Sequence, residues 1–245
     1  MNDVKEKMSE RLVTVAELLR NEKAGRVADV GCDHGYISIY LVQQGIAESA
    51  IAMDIRKGPL SSAADNVVSF GMKDKIETRL SDGIEKLQPG EADAIVVAGM
   101  GGMLMMEILE KRDLQELGIK RAVLQPQSDI CRFRQYLRDK GYRILDEKIV
   151  YEDGKYYFPM LVDTEGAKAS EPDKLSEIPQ SVADRFGVQG ILRRDPLLKE
   201  YLLHGKDICV SILEKLDKEA HRDRYNEVSE ELSDIRIALN YYERG

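Results

Sequence analysis

The sequence has too few cysteines and histidines for either a disulfide framework or a zinc site. Its three cysteines, Cys32, Cys131 and Cys209, lie far apart with no C-x-x-C pair, and only three histidines are available to join them. All three thiols are read as free packing residues, and no metal is expected. No run approaches the roughly 18 to 20 apolar residues that a bilayer span requires. The stretch MNDVKEKMSERL has no apolar core of the signal-peptide kind. A cytoplasmic protein without a membrane partner is the expectation, with a monomer as its simplest state. Excess positive charge is missing too: 36 Lys and Arg stand against 44 Asp and Glu, a net charge of -8 at pH 7. On average this disfavours a nucleic-acid partner.

One local face runs against that average. The segment CRFRQYLRDKGYR carries Arg132, Arg134, Arg138, Lys140 and Arg143 against Asp139 alone, and the N-terminal region adds Lys5, Lys7, Arg11 and Arg20. A phosphate backbone needs only such a patch. Solvated faces of ordinary helices account for the same charges more simply.

Residues 4–20 have apolar positions at helical spacing: Met8, Leu12, Val15, Ala16 and Leu19. Strand-length apolar runs follow at 26–30, 50–55, 75–80, 93–98 and 119–124, separated by helical patterns at 35–44, 58–70, 102–111 and 128–140. This alternation predicts an α/β fold, an open, mostly parallel sheet with helices on both faces. Segments 142–151 and 155–163, joined through Glu152-Asp153-Gly154, predict a hairpin that closes the sheet with an antiparallel edge. Residues 164–195 read as a linker between a domain at 1–163 and a helical tail at 196–245. In the tail Tyr225, Val228, Leu232, Ile235, Leu239 and Tyr242 recur at steps of three and four, a coiled-coil pattern. One rod of that length would extend on the order of 70 Å, so an antiparallel helical hairpin is expected.

The chemistry concentrates at the strand ends. In VADVGCDHGY, Gly31 and Gly35 frame a turn between the first strand and its helix, where bare backbone can approach a ligand. Asp54 ends the second strand, where a carboxylate can accept both hydroxyls of a ribose. Asp82-Gly83 follows the third, where an acid can receive an adenine amine. No G-x-G-x-x-G is present, which disfavours a pyrophosphate. An adenosine ligand without phosphate fits better, and S-adenosylmethionine (SAM) is the usual one.

The run Asp29-Val30-Gly31-Cys32-Asp33-His34-Gly35 is similar to the first motif of class I methyltransferases, D/E-x-G-x-G-x-G. Together with AMDI, RLSDG, VAGMGG and LQPQ, the motif DVGCDHGY resembles the bacterial TrmK family, the tRNA (adenine-22, N1)-methyltransferases. The resemblance runs from about Arg11 to Asp163, and the helical tail agrees with that family's coiled-coil domain. It implies a Rossmann-like fold, SAM as cofactor and tRNA as partner. Asp29 belongs to the cofactor motif, and Gly31, Cys32, Asp33, His34, Gly35 and Tyr36 would line the cofactor's methionine end. Asp54 with Ile55 would hold the ribose, and Asp82 with Gly83 the adenine. Ala98, Gly99 and Met100, followed by Gly101 and Gly102, would face the methyl group and the incoming base. The chain departs here from the Asn-Pro-Pro-Tyr motif of many adenine N-methyltransferases.

Asp33 is read as binding the cofactor's ammonium group or as stabilising the cationic base, Tyr36 as a stacking partner, and His34 as a turn residue. Met100, Met103, Met105 and Met106 fill the core more simply than they serve sulfur chemistry. Gln125 and Pro126 are candidates to contact the tRNA or to shape a turn. Arg11 could reach the site, or form a salt bridge instead; Arg132, Arg134 and Arg138 would meet phosphates. Two other readings stay open: a small-molecule methyltransferase, and a SAM-binding adaptor with no catalytic role.

Overall fold

The structure is a computed structural model that describes residues 3–22, 24–166 and 177–243. The chain divides into two compact units, Met1–Ala169 and Ser170–Gly245.

The first unit opens with a 3-10 turn, Val4–Lys7, followed by α1, Glu10–Glu17. One helix over 4–20 was expected. The break has a local cause: Ser9 adopts an extended backbone and its hydroxyl accepts the Leu12 N–H, so the helix must start after it. Then come β1 (Ala24–Val30), α2 (Tyr36–Gln43), β2 (Ala47–Asp54), α3 (Lys57–Ser69), β3 (Ile76–Leu80), β4 (Ala94–Met100) and α4 (Gly102–Glu110). They are followed by β5 (Arg121–Pro126), α5 (Ile130–Asp139), β6 (Arg143–Glu147), β7 (Val150–Glu152), β8 (Lys155–Tyr157) and β9 (Met160–Asp163). The main sheet has seven strands in the order β3-β2-β1-β4-β5-β9-β6. Strands β1 to β5 pair in parallel, and β9 runs antiparallel to both β5 and β6.

Helices cover both faces of such a sheet, so its inner strands read as unbroken apolar runs. Ala50 to Asp54 of β2 and Ala94 to Val97 of β4 are buried without alternation. The expected hairpin is present in two parts. Its tip, β7 with β8, turns through Asp153 and Gly154, both at positive φ (51° and 76°), as a two-residue hairpin loop requires. Its base, β6 with β9, belongs to the main sheet. Pro159 separates the two on one side because it has no N–H for a ladder, while its carbonyl accepts the Lys148 N–H at 3.0 Å.

The second unit contains α6 (Gln180–Phe186), α7 (Val188–Leu192), α8 (Pro196–Lys215) and α9 (Arg222–Glu243). The two short helices stand where a linker was expected. Their polar, glycine-punctuated sequence hides anchors: Val182, Phe186 and Ile191 are buried, and Ser181 and Arg185 bind the buried Asp234 of α9 at 2.8 and 2.7 Å. Part of the expected linker, 167–176, lies outside the described residues. Helices α8 and α9 are antiparallel, since the Tyr242 hydroxyl bonds the Asp195 carbonyl and Gly205 packs against Ile235. Beside the seam Val228, Leu232, Ile235 and Leu239, α9 also buries Asp234 and Ala238. Its buried face is thus wider than a two-stranded coil needs, because α6 occupies the second stripe. Among the described residues, no helix is long and apolar enough to cross a membrane.

One sequence expectation fails here. Arg134 cannot meet a phosphate: its side chain is 3% exposed and its Nε lies 3.0 Å from Glu147 Oε1, with Glu147 itself 4% exposed. The Phe158 ring lies under its guanidinium at 5.5 Å. The sequence shows a run of arginines, whereas the α5 helix turns this one toward β6. Removing one partner of such a pair leaves a buried charge and costs about 3–5 kcal/mol. Arg134→Ala should therefore lower the urea midpoint of the first unit sharply, and a joint Arg134→Met, Glu147→Leu change should restore most of the loss. A single variant as stable as the parent would show that the pair is not buried in solution.

Candidate active site

At the carboxyl ends of β1 to β4 a cleft of about 970 Å³ opens, where strand order reverses between β1 and β4. Open parallel sheets bind ligands at this switch point, and the size is at the upper end for small-molecule sites.

Its floor is the turn after β1. The Gly31 and Cys32 N–H groups both donate to the Met53 carbonyl, at 2.8 and 2.9 Å, tying the turn to the end of β2. Gly31, Asp33 and Gly35 all have positive φ: 74°, 50° and 73°. Asp33 thus occupies a left-handed position where glycine is the usual choice and aspartate is among the better-tolerated alternatives. Gly31 has a second reason to be glycine, because a Cβ there would collide with the Met100 methyl. The Asn66 side chain donates to the His34 carbonyl at 2.9 Å and fixes the far side of the turn.

Three acids face this floor from different strand ends. Asp54 is 4% exposed; its Oδ2 accepts the Asp33 N–H at 3.3 Å and its Oδ1 the Arg56 N–H at 2.8 Å. Two acceptor sites on this carboxylate remain for a ligand. Asp33 projects into the cleft, half-exposed, with His34 Nε2 at 3.7 Å and Arg56 Nη2 at 4.0 Å. Asp82 lies at the rim, paired with Lys111 at 2.5 Å. Gly83 beside it must be glycine, since φ is +57° and a Cβ would press on Ile108 at 2.8 Å. His34 and Tyr36 stack with ring centroids 5.6 Å apart. The Cys32 thiol is pushed up by burial and by the neighbouring carboxylates Asp29, Asp54 and Asp33, which makes it inert as a nucleophile.

Most of the expected site residues come together in this cleft. Asp29, Gly31, Cys32, Asp33, His34, Tyr36, Asp54, Ile55, Asp82, Gly83, Ala98, Gly99, Met100 and Arg11 all line it. Gly35 closes the turn from outside, packed on Ala63. Arg11 also forms a salt bridge, to Glu152 at 3.4 Å, and its guanidinium sits over the Tyr157 ring at 5.1 Å.

Other expectations are corrected. Gly102 gives no room to a base: a Cβ there would strike the Ser128 carbonyl, so this glycine permits the close approach of the loop after β5. Gly101 stands against Ser128 Oγ in the same way, at 3.2 Å. Gln125 and Pro126 are buried. Gln125 is a brace: its Oε1 accepts Arg11 Nη1 at 2.8 Å and the Gly99 N–H at 3.2 Å. That N–H belongs to a register shift between Ala98 and Met100 and would otherwise be orphaned. The expectation for Arg132 and Arg138 is not among those corrected: both are exposed on α5, Arg138 beside Asp139. The sequence reading missed Arg56, Gln127 and Glu152, all of which line the cleft. Gln127 was legible as the last residue of LQPQ; the side-chain direction that separates it from Gln125 was not. Among the described residues, no cluster of His, Cys, Asp or Glu could hold a metal.

The fold and this cleft define a class I methyltransferase domain, and a methyltransferase-domain family matches residues 8–160. Over 244 residues the chain is 33% identical to the tRNA (adenine(22)-N(1))-methyltransferase of Bacillus subtilis (strain 168), covering 98% of this chain and 100% of that protein. The solved structure of the B. subtilis m1A22 tRNA methyltransferase TrmK matches with a TM-score of 0.80 and 31% identity, over 95% of this chain and 98% of that one. The structure of M. capricolum TrmK in complex with S-adenosyl-homocysteine matches with a TM-score of 0.80 and 28% identity, over 96% and 98% of the two chains. The chain belongs to the TrmK family, as the motifs of its sequence indicated.

Beneath the turn lies Asp29, fully buried, with Oδ2 accepting both the Ser38 hydroxyl (2.7 Å) and the Ser38 N–H (3.2 Å). Burial, opposed by these bonds and reinforced by Asp54, raises its carboxyl from 3.8 to about 6. An acid whose folded value is raised binds a proton more tightly in the folded state, so its contribution to stability is greatest at low pH and falls between about 4 and 6. The size of this loss is on the order of 3 kcal/mol. Stability of the parent relative to Asp29→Asn should decline across that window and level off above it. A difference that stays flat from pH 4 to 7 would refute the assignment.

Proposed function

We propose that this protein transfers a methyl group from SAM to N1 of adenine-22 in tRNA. The observation that carries the reading is the set of acids at three successive strand ends around a turn of bare backbone, in a chain of the TrmK family. These residues fit the cofactor. Asp54 would receive the ribose hydroxyls, Asp82 the adenine amine and Asp33 the ammonium group. Gly99, with no side chain, leaves the methyl-bearing region uncrowded. When bound, SAM supplies an activated methyl group on a sulfonium, a positive charge that an acid-lined cleft favours.

The remaining work of the protein is positional. Adenine N1 carries its own lone pair, so no nucleophile or metal is required, and alignment within about 3 Å provides most of the rate. The braced exit of β4, with Gly99 held by Gln125, gives the acceptor a fixed wall. Tyr36 offers an aromatic face to the base, and Asp33 stands where it can offset the positive charge that N1 acquires on alkylation. Because N1 lies on the Watson-Crick edge, the base must leave any pairing first, at a cost of a few kcal/mol.

We assign tRNA backbone contacts to Lys7 at the cleft and to Arg132 and Arg138 on α5, and the body of the tRNA to the helical unit of α6 to α9. A cytoplasmic site of action accords with such a substrate.

Labelled SAM and unmodified bulk tRNA should yield label as N1-methyladenosine at position 22. Bound cofactor with an unlabelled tRNA would overturn the reading in favour of a small-molecule enzyme or an adaptor. Asp54→Ala should weaken SAM binding by roughly 10- to 100-fold, the loss expected when hydrogen bonds to a buried charge disappear. Unchanged affinity in calorimetry would remove Asp54 from the ribose site.

A further inference from the structure

N1 methylation leaves the enzyme a recognition problem. The atom that attacks must be free of hydrogen bonds, so the base has to be identified by another edge. The Asn-Pro-Pro-Tyr element that serves many adenine N-methyltransferases is absent after β4.

Adenine's other polar edge presents the N6 amine, a donor, beside N7, an acceptor. Among side chains, a carboxamide is the group that supplies the matching acceptor and donor on neighbouring atoms. Asp33, Asp54 and Glu152 only accept when ionised, and Arg11, Arg56 and Lys7 only donate. Among the described residues, Gln127 is the one carboxamide side chain that lines the cleft. It is exposed, and its side-chain amide makes no hydrogen bond among the described residues. Its backbone is anchored at the right wall, because the Gln127 N–H donates to the Met100 carbonyl at 2.8 Å. Its Nε2 lies 4.0 Å from where a Cβ on Gly99 would stand, so the amide hangs over the bare backbone of the β4 exit. Gln125, two residues earlier, holds that backbone from below.

We propose that Gln127 is the specificity-determining residue for the target base, accepting from N6–H and donating to N7 while N1 faces the methyl group. The inference rests on the proposed adenine-N1 activity and names how that base is chosen. Guanine offers two acceptors, O6 and N7, on this edge, and leaves the amide oxygen facing an acceptor. Alkylation at N1 makes the N6 hydrogens more acidic, so the bond from N6–H to the Gln127 oxygen strengthens as the reaction proceeds, while the bond to N7 weakens.

The test uses full-length protein and two tRNAs, one unmodified and one with 7-deazaadenosine at position 22, in which N7 is replaced by C–H. For the parent, loss of N7 should lower kcat/KM roughly 2- to 12-fold, the range for one neutral hydrogen bond. Gln127→Ala should show the same low rate on both tRNAs. Gln127→Glu, whose carboxylate repels N7 but still accepts from N6–H, should prefer the 7-deaza substrate and reverse the order. Fluorescence anisotropy of both tRNAs, with S-adenosylhomocysteine present, should follow the same pattern, and calorimetry should find SAM affinity unchanged in both variants. A parent indifferent to N7, or a Gln127→Ala variant that keeps the parent's discrimination, overturns the assignment to Gln127. A parent that methylates neither tRNA overturns the proposed activity itself.

Discussion

The carbonyl oxygen of Met53 is the point on which the site depends. Two successive N–H groups, from Gly31 and Cys32, converge on it, so β1 cannot end without carrying its turn across the end of β2. The next residue of β2 is Asp54, whose carboxylate is thereby brought under the Asp33 N–H. Both bonds require the backbone at 31 and 33 to turn left-handed. A bulky residue at 31 would fail on its φ and on the Met100 methyl together. The cleft is therefore a consequence of how two parallel strands end, and the ligand-facing acids are spaced by the sheet rather than by loops.

Much of this was legible in the sequence because parallel strands announce themselves. Runs such as AIAMDI and DAIVVA are apolar without alternation, and an acid that follows such a run, as Asp54 does, lies at the carboxyl edge of the sheet. The fold class, the acid trio and the glycine turn follow from that. Side-chain direction does not. Arg134 and Arg138 look alike in the sequence and lie four residues apart, yet one is sealed against Glu147 and the other is exposed, since the strand beside α5 decides which face is covered. Gln125 and Gln127 differ in the same way. The helices α6 and α7 were hidden for another reason: their anchors, Val182, Phe186 and Ile191, are too few in a polar stretch to form a period, and α6 is held through Ser181 and Arg185 by a carboxylate from a helix some fifty residues later.

The charge distribution reconciles an acidic protein with an anionic substrate. Acids lie inside the cleft, where a cationic cofactor gains from them, while cations stand among or around them. Arg56 illustrates the arrangement: its Nε is 3.6 Å from Asp54 and its Nη2 4.0 Å from Asp33, yet its side chain is 68% exposed. At that exposure the pairings are weak and salt-screened, so this guanidinium can leave them for a phosphate at little cost. An average of -8 therefore says little about RNA binding; what matters is which sign of charge is fixed and which is free to move.

The two glutamines at the end of β5 divide the remaining task. A methyl acceptor needs a wall that does not move and a reader that can. Gln125, buried and engaged at both ends of its amide by Arg11, Gly99 and the Pro126 carbonyl, has no freedom left and supplies the wall. Gln127, tied among the described residues through its backbone N–H alone, keeps both hydrogen-bonding atoms of its amide for a ligand. With glycines rather than an Asn-Pro-Pro-Tyr element at the end of β4, the proposed base recognition falls to the neighbouring strand, whose exit is tied to β4 by the Gln127 N–H on the Met100 carbonyl.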